Sequence, residues 1–175
     1  MNVLITGGAG YIGFALVDSL LRIAPKDTKI TLYDNLSRGN RNIFFSRLRS
    51  DRVRFVNGEL LDSRLLQKEV AQADVVYHLA AKVTTPFADN DSHIFEQVNH
   101  WGTAELVNAV EQHPVQHFIH LSSISVYGRA DEPLTEEHEI RPESFYGFSK
   151  ARAEDHVRRL EDKGIPTHII RSGNV

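Results

Sequence analysis

Cysteine is absent from the sequence, and so are long apolar runs. The absence of cysteine excludes disulfide bonds, thiolate zinc sites and a cysteine nucleophile. The longest nearly continuous apolar stretch covers residues 75–81, far short of the roughly 18 residues that a membrane span needs. The N-terminal residues also lack the basic and apolar segments of a secretion signal. The sequence therefore predicts no membrane partner, and the cytoplasm is the default location.

Neither sign of charge dominates the chain. Its 175 residues carry 20 Lys and Arg against 23 Asp and Glu, for a formal net charge of −3 at pH 7. Such a balance gives no long-range field that would attract nucleic acid, so we expect no nucleic-acid partner. The nine histidines are scattered without carboxylate support, and we predict no metal site. The length and a hydrophobic content of 41% fit one globular domain.

Short apolar runs alternate with stretches of helical spacing along the whole chain. Runs rich in β-branched and aromatic residues predict six strands, namely Asn2–Thr6, Lys29–Tyr33, Arg52–Val56, Val75–Leu79, His117–Ser122 and Thr167–Arg171. Apolar residues recur at helical spacing between these runs. This alternation predicts an α/β fold of Rossmann type, a doubly wound parallel sheet in a three-layer α/β/α arrangement. Ligands of such folds bind at the carboxyl ends of the strands.

A glycine-rich turn follows the first predicted strand and opens a helix over Tyr11–Ile23. The turn can be written G-x-x-G-x-x-G from Gly7 or G-x-G-x-x-G from Gly8, and spacing alone does not choose between them. Small residues let the backbone approach a pyrophosphate, and the first amides of the helix stabilise its charge. The turn therefore predicts a phosphate cradle, whereas the simpler interpretation is a tight strand-to-helix turn.

An acidic residue ends the second predicted strand. Asp34 lies 21 residues after Gly13, where a carboxylate can accept hydrogen bonds from an adenosine ribose and repel a 2′-phosphate. Arg38 and Arg41 favour NADP instead, because a guanidinium in this loop can hold that phosphate. On balance the sequence favours NAD over NADP.

A tyrosine and a lysine lie four residues apart in the stretch 144–160, whose sequence predicts a helix. Tyr146 and Lys150 therefore share one helix face. A neighbouring ammonium favours the phenolate, which lowers the tyrosine pKa from its ordinary value of about 10 toward the range of acid–base catalysis. The spacing can arise by accident, but this helix follows the strand that ends in Leu121-Ser122-Ser123, which brings a hydroxyl to the same edge of the sheet.

The chain resembles the extended short-chain dehydrogenases/reductases, in particular the NAD-dependent nucleotide-sugar epimerase/dehydratase group. The resemblance covers essentially the whole chain, and its motifs stand in the order and approximate spacing of that family. They are Thr6-Gly7-Gly8-Ala9-Gly10-Tyr11-Ile12-Gly13, Asp34-Asn35-Leu36-Ser37-Arg38-Gly39, His78-Leu79-Ala80-Ala81, Ser122-Ser123-Ile124-Ser125-Val126-Tyr127-Gly128 and Tyr146-Gly147-Phe148-Ser149-Lys150.

The resemblance implies a role for each motif. Tyr146 would be the catalytic acid/base, Lys150 would lower its pKa and hold the nicotinamide ribose, and Ser123 would hydrogen-bond the reacting sugar oxygen. The implied NAD-binding residues are Gly7, Gly10, Tyr11, Ile12 and Gly13 at the pyrophosphate, Asp34, Asn35, Leu36, Ser37 and Arg38 at the adenosine, Glu59 and Leu60 at the adenine, Leu79, Ala80, Ala81, Lys82 and Asn99 along the cofactor, and Ser122, Tyr146, Lys150 and Gly173 at the nicotinamide. For His78 itself we favour a buried histidine with satisfied hydrogen bonds.

The position after the active-site hydroxyl separates reactions within the family. Dehydratases carry acidic side chains there, because eliminating water needs its own acid and base. Ile124 and Ser125 occupy these positions, so the resemblance favours an NAD-dependent epimerase acting on a nucleotide sugar. The alternatives are an NAD(P)-dependent sugar reductase or dehydrogenase of the same family and a catalytically silent NAD-binding sensor.

The resemblance also carries expectations about domains and assembly. Residues 1–175 match the NAD-binding part of the family, whose members continue into a smaller substrate-binding lobe. We expect that lobe to be absent here, so that this chain alone binds NAD with little or no turnover. Similar proteins commonly form homodimers through the helices that here hold residues 99–111 and 146–160.

Overall fold

A computed structural model describes residues 1–39, 50–83, 92–130 and 132–173. It contains six strands, β1 (Asn2–Thr6), β2 (Lys29–Asp34), β3 (Val53–Asn57), β4 (Val75–His78), β5 (His117–Ser123) and β6 (Thr167–Ser172). All six were predicted, and each strand end lies within one residue of its predicted place. Strand ends are well determined by the sequence because β-branched and apolar runs stop at Gly, Asn, Asp or Ser.

The strands form one parallel sheet in the order β3-β2-β1-β4-β5-β6. The direction in which strands are added reverses between β1 and β4, which makes this the switch point of a doubly wound fold. The predicted Rossmann-type architecture is confirmed. Its carboxyl rim collects the residues that follow β1, β2, β4 and β5.

The helices are α1 (Tyr11–Ile23), α2 (Ser63–Val70), α3 (Ser92–Phe95), α4 (Gly102–Gln112) and α5 (Phe145–Asp162). A π-helical segment, Glu96–Trp101, joins α3 to α4, and a 3-10 turn, Ile124–Tyr127, follows β5. Side chains cap two of the helices, since Asp62 accepts from the amide of Leu65 and Ser144 accepts from the amide of Gly147. Gly10 precedes α1 and offers no such cap.

Two apolar clusters cover the two faces of the sheet. On one face, Val17 and Leu20 of α1 pack against strand residues such as Ile5 and Leu32. On the other face, α2, α4 and α5 share a cluster that includes Leu66, Leu106, Val157 and Phe118 of β5. Helices thus lie on both faces, as predicted. Among the described residues no helix has the length and apolar character to cross a bilayer.

Candidate active site

The glycine turn after β1 is built for close backbone contact. Gly7 has φ +71°, and a Cβ there would lie 2.6 Å from the backbone nitrogen of Ala80. A Cβ at Gly13 would lie 2.6 Å from the carbonyl oxygen of Gly8. At Gly8 the nearest obstacle is the flexible side chain of Leu32. A Cβ at Gly8 would also lie 3.1 Å from the Ile5 carbonyl oxygen, so the tightest backbone constraints fall on Gly7 and Gly13, in agreement with the G-x-x-G-x-x-G form of the motif.

The end of β2 is tied to this turn through a carboxylate. Asp34 Oδ2 accepts from the amide of Ala9 at 3.0 Å, and Oδ1 accepts from the amide of Leu36 at 2.8 Å. Leu36 has φ +57°, so the chain turns sharply after Asp34. Because both oxygens are anchored by backbone amides, the Asp34 carboxylate is fixed beside the glycine turn. Arg38 is exposed in the following loop, and Arg41 lies outside the described residues.

A second pair of contacts joins the β2 loop to the residues after β3. Asn35 Nδ2 donates to both carboxylate oxygens of Glu59, at 2.9 and 3.0 Å, and the Tyr33 hydroxyl donates to the Glu59 carbonyl at 2.6 Å. The Leu60 side chain is buried in the core against α4. Contacts from this segment to a ligand would therefore involve Asn35, Glu59 and the backbone of Leu60.

The loop after β4 is held by an asparagine in the π-helical segment. Asn99 is 1% exposed; its Oδ1 accepts from the amide of Lys82, and its Nδ2 donates to the Lys82 carbonyl. Nδ2 also donates to Ser149 Oγ, which in turn donates to the carbonyl of Tyr146. Asn99 therefore aligns the 80–82 loop with the start of α5.

A buried hydrogen-bond chain supports Asn99 from below. The Thr103 hydroxyl donates to the Asn99 carbonyl at 2.5 Å, so it accepts from Nε2 of His78 at 2.8 Å. Nδ1 of His78 is then the acceptor for the Thr6 hydroxyl at 2.7 Å. These contacts fix a neutral His78 with its proton on Nε2. Burial lowers the pKa of His78 to about 3, and the predicted buried and satisfied histidine is confirmed.

The structure brings the predicted catalytic hydroxyl and phenol together. Ser123 ends β5 and caps the 3-10 turn by accepting from the amide of Ser125 at 3.1 Å, and its hydroxyl is near enough to Tyr146 to act on the pKa of the phenol. A Cβ at Gly147 would lie 2.5 Å from the Ser125 carbonyl, so only glycine lets α5 start this close to the 3-10 turn. The Tyr146 ring also packs edge-on against Phe95, at 6.0 Å between centroids.

The electrostatics of Tyr146 differ from the sequence expectation. We expected Lys150 to lower the Tyr146 pKa, but burial raises it above its ordinary value, and the neighbouring Ser123 hydroxyl offsets this only in part. Lys150 is itself 2% exposed, and Nζ donates to the Leu121 carbonyl at 2.6 Å. Burial lowers the pKa of Lys150 to about 8, while the charge of Glu154 acts in the opposite direction.

Sequence reasoning missed a buried polar group behind the catalytic residues. The hydroxyl of Ser122 donates to Glu154 at 2.5 Å, and Arg171 pairs with both oxygens of the same carboxylate. A contact from Ser122 to a cofactor would thus come from its backbone. One sequence signal was available, since Glu154 repeats the four-residue spacing that separates Tyr146 from Lys150.

The remaining predicted residues lie on the same rim. Leu79, Ala80 and Ala81 are half-buried after β4, and Gly173 is exposed beyond β6, close to Ile124. Within the described parts of the chain, no three histidine or carboxylate side chains converge as metal ligands.

A parallel sheet with this strand order, carrying a glycine turn and an anchored carboxylate at its switch point, defines a Rossmann-type dinucleotide-binding domain. The chain belongs to the NAD dependent epimerase/dehydratase family, whose model matches residues 3–175. This confirms the resemblance to the extended short-chain dehydrogenases/reductases.

Comparisons with individual proteins agree. The chain is 34% identical over 176 residues to the low-salt glycan biosynthesis protein Agl12 of Haloferax volcanii, covering 99% of this chain and 56% of that protein. A crystal structure of the dTDP-glucose 4,6-dehydratase DesIV from Streptomyces venezuelae, with NAD and TYD bound, superimposes with a TM-score of 0.91 at 31% identity, covering 98% of this chain and 55% of that one.

A UDP-glucuronic acid 4-epimerase from Bacillus cereus, in complex with NAD, superimposes with a TM-score of 0.86 at 28% identity and covers 99% of this chain and 57% of that one. The chain spans about half the length of the curated relatives it matches.

Proposed function

We propose that this protein binds NAD along the carboxyl rim of its sheet and acts as an epimerase at a carbinol of a nucleotide sugar. The observation that carries the proposal is the proximity of Ser123 and Tyr146 at the rim that also holds the glycine turn. The DesIV dehydratase and the B. cereus epimerase, which share this fold, were both crystallised with NAD.

The residues of the rim fit a dinucleotide. No side chain fills the turn at Gly7 or Gly13, and the first amides of α1 have no side-chain cap, which suits a pyrophosphate. Tyr11 and Ile12 would hold the pyrophosphate through these amides. Asp34 would hold the adenosine ribose, with Asn35, Leu36, Ser37, Arg38 and Glu59 around it, and Lys150 would hold the nicotinamide ribose.

In this proposal the chain's own residues transfer a proton and hold the substrate oxygen. When bound, NAD supplies an acceptor that can take a hydride from a carbinol carbon and return it. Tyr146 would take the proton of the carbinol hydroxyl, and Ser123 would hold the oxygen as it becomes a carbonyl. Because burial raises the Tyr146 pKa, the phenol favours its protonated form, which suits return of the proton. We propose that the Lys150 cation favours the phenolate of the forward step once NAD is bound, since it does not lower the Tyr146 pKa in the chain alone.

Ile124 and Ser125 favour epimerisation over dehydration. Elimination of water needs a separate acid and base, but the 3-10 turn after Ser123 carries no carboxylate, and Ser125 is engaged with the Ser123 hydroxyl at 3.1 Å. Because the chain spans about half the length of its relatives, we propose that turnover needs a substrate-binding lobe in addition to these residues.

Calorimetry with NAD⁺ and NADP⁺ tests the cofactor half of this proposal. We expect heat of binding with both the higher affinity and the lower saturating concentration for NAD⁺. The chemical half is tested by incubating the full-length protein with UDP- and dTDP-hexoses. An inverted carbinol at unchanged mass indicates an epimerase, loss of water a dehydratase, and a change by two hydrogens a reductase or dehydrogenase.

Tyr146→Phe should lower that turnover by roughly 100- to 10,000-fold. The matched control is Tyr77→Phe, which removes a hydroxyl from β4 and should leave turnover unchanged. If the full-length protein binds NAD yet converts none of the sugars, the enzyme proposal fails and the sensor alternative is supported.

We also propose a homodimer through the outward faces of α4 and α5. Three aromatic side chains near the starts of these helices, Trp101, Phe145 and Phe148, are 55%, 51% and 45% exposed. Sedimentation should give twice the chain mass of 19.8 kDa, and Phe148→Glu should give a monomer. A monomeric wild-type protein at micromolar concentration would contradict this.

A further inference from the structure

Helix α5 presents three polar side chains at successive turns of one face, Tyr146, Lys150 and Glu154. Lys150 is 2% exposed and Glu154 is 0% exposed. A carboxylate buried this completely is unfavourable unless hydrogen-bond donors surround it. Glu154 has no part in the proton transfer proposed above, so its burial needs another explanation.

Donors from three elements converge on the Glu154 carboxylate. Ser122 Oγ on β5 donates to Oε1 at 2.5 Å. On β6, Arg171 donates from Nε to Oε1 at 3.0 Å and from Nη2 to Oε2 at 2.7 Å. Arg158, one helical turn further along α5, approaches Oε2 at 3.5 Å. The carboxylate therefore joins α5 to both of the strands beneath it.

Lys150 makes a matching contact one turn earlier. Its Nζ donates to the carbonyl of Leu121, the residue immediately before Ser122. Lys150 and Glu154 thus hold two consecutive residues of β5, directly before the hydroxyl of Ser123. A slide or rotation of α5 along the strand would break both contacts, so together they set where Tyr146 stands relative to Ser123.

The surroundings of Lys150 make Glu154 important electrostatically as well. Among the described residues, His78 on β4 and His120 on β5 also face Lys150; both are fully buried, and their pKa values are lowered by burial and by the Lys150 charge. Both histidines are therefore neutral at neutral pH. Burial lowers the pKa of Lys150 to about 8, and Glu154 is the group that raises it.

We propose that Glu154 is a positioning residue of the active site, which holds α5 on β5 and β6 through Ser122 and Arg171 and supplies the negative charge that Lys150 faces. This role in an active site rests on the proposed function, because Lys150 is a catalytic residue only if that function holds. The contacts and the charge do not depend on it.

A lysine titration tests the proposal without cofactor or sugar. The chain has six lysines, so NMR spectra of protein labelled with ¹³C at the lysine ε-carbon contain few signals, and Lys150→Met identifies that of Lys150. Glu154→Gln keeps the size of the side chain and removes the charge. The Lys150 midpoint should then fall by about one pH unit. Glu161→Gln, an exposed change on the same helix, should leave it in place.

An unchanged Lys150 midpoint in folded Glu154→Gln protein overturns the proposal. Should Arg171, left without its partner, prevent folding, the double variant Glu154→Gln with Arg171→Gln removes both buried charges and retains the fold. Its midpoint must again lie below that of the wild type. A lowered midpoint in a protein that shows no heat with NAD⁺ would support the role of Glu154 while contradicting the cofactor proposal, so the two failures are distinguishable.

Discussion

The Asn99 side chain is hydrogen-bonded to both backbone polar groups of one residue, Lys82. Its Oδ1 accepts from the Lys82 amide at 2.7 Å, and its Nδ2 donates to the Lys82 carbonyl at 2.9 Å. Nδ2 also reaches Ser149 at 3.0 Å, on the helix that carries Tyr146. One amide side chain therefore fixes the loop after β4 relative to the catalytic helix.

Asn99→Asp should destabilise the protein by about 2 kcal/mol, because it keeps the oxygen acceptor but loses the two bonds donated by Nδ2. We also expect NAD affinity to fall roughly tenfold, since the loop and α5 lose their common support. Urea denaturation and calorimetry measure the two effects. Asn108→Asp, exposed on α4, should change the free energy of unfolding by less than about 0.5 kcal/mol.

Gly7→Ala should destabilise the fold by about 3 kcal/mol or more, because the new methyl group would sit 2.6 Å from the Ala80 nitrogen. Gly164→Ala is the matched control. Gly164 has φ +74°, and a methyl group added there would meet no atom within 4 Å, so only the backbone strain of about 1 kcal/mol applies. Equal losses of unfolding free energy in the two variants would contradict the close approach of the glycine turn to the end of β4.

His120→Phe should stabilise the protein by about 1 kcal/mol at pH 7, because both ring nitrogens of His120 are buried without a hydrogen-bond partner in the described parts of the chain. Burial holds the pKa of His120 well below its ordinary value. As the pH falls below about 6.5, protonation in the unfolded chain favours unfolding of the wild type, so the gain from phenylalanine should grow.

Urea denaturation at pH 7 and pH 5.5 measures the effect of His120→Phe. His113→Phe, at an exposed position, serves as the control and should show little difference between the two pH values. A loss of stability at pH 7, or a gain that is the same at both pH values, would contradict this prediction.

Asp34→Asn should weaken NAD binding about tenfold and narrow the preference for NAD over NADP. The substitution removes the charge that disfavours a 2′-phosphate, and it loses one of the bonds to the amides of Ala9 and Leu36. Calorimetry with both nucleotides gives the ratio. Asp27→Asn, an exposed change between α1 and β2, should leave both affinities unchanged; an unaltered ratio in Asp34→Asn would contradict the role of Asp34.

Much of the architecture could be predicted because its determinants are local. The alternation of apolar runs located all six strands, and the glycine turn and the Tyr146–Lys150 spacing marked the rim where the structure gathers them. The spacing also showed that the two residues share a helix face, which needs only the period of an α-helix.

The electrostatics could not be predicted from spacing. The pKa of Tyr146 depends on how deeply its ring is buried, and burial is decided by Phe95 and by the packing of α5 on the sheet. The contact between Ser122 and Glu154 likewise joins residues 32 positions apart, and the four-residue spacing that puts Glu154 on the face of Tyr146 and Lys150 does not show what that face contacts.

The π-helical segment Glu96–Trp101 winds more loosely than the α-helices on either side of it. A π turn contains an additional residue, so the helix beyond it is rotated by about 100° relative to an uninterrupted α-helix. That offset lets Phe95 contact the Tyr146 ring, while Leu106, further along the same continuous helix, packs in the core. A deletion of one residue here would preserve a helix yet turn one of these faces away, so the length of this segment matters independently of which side chains it carries.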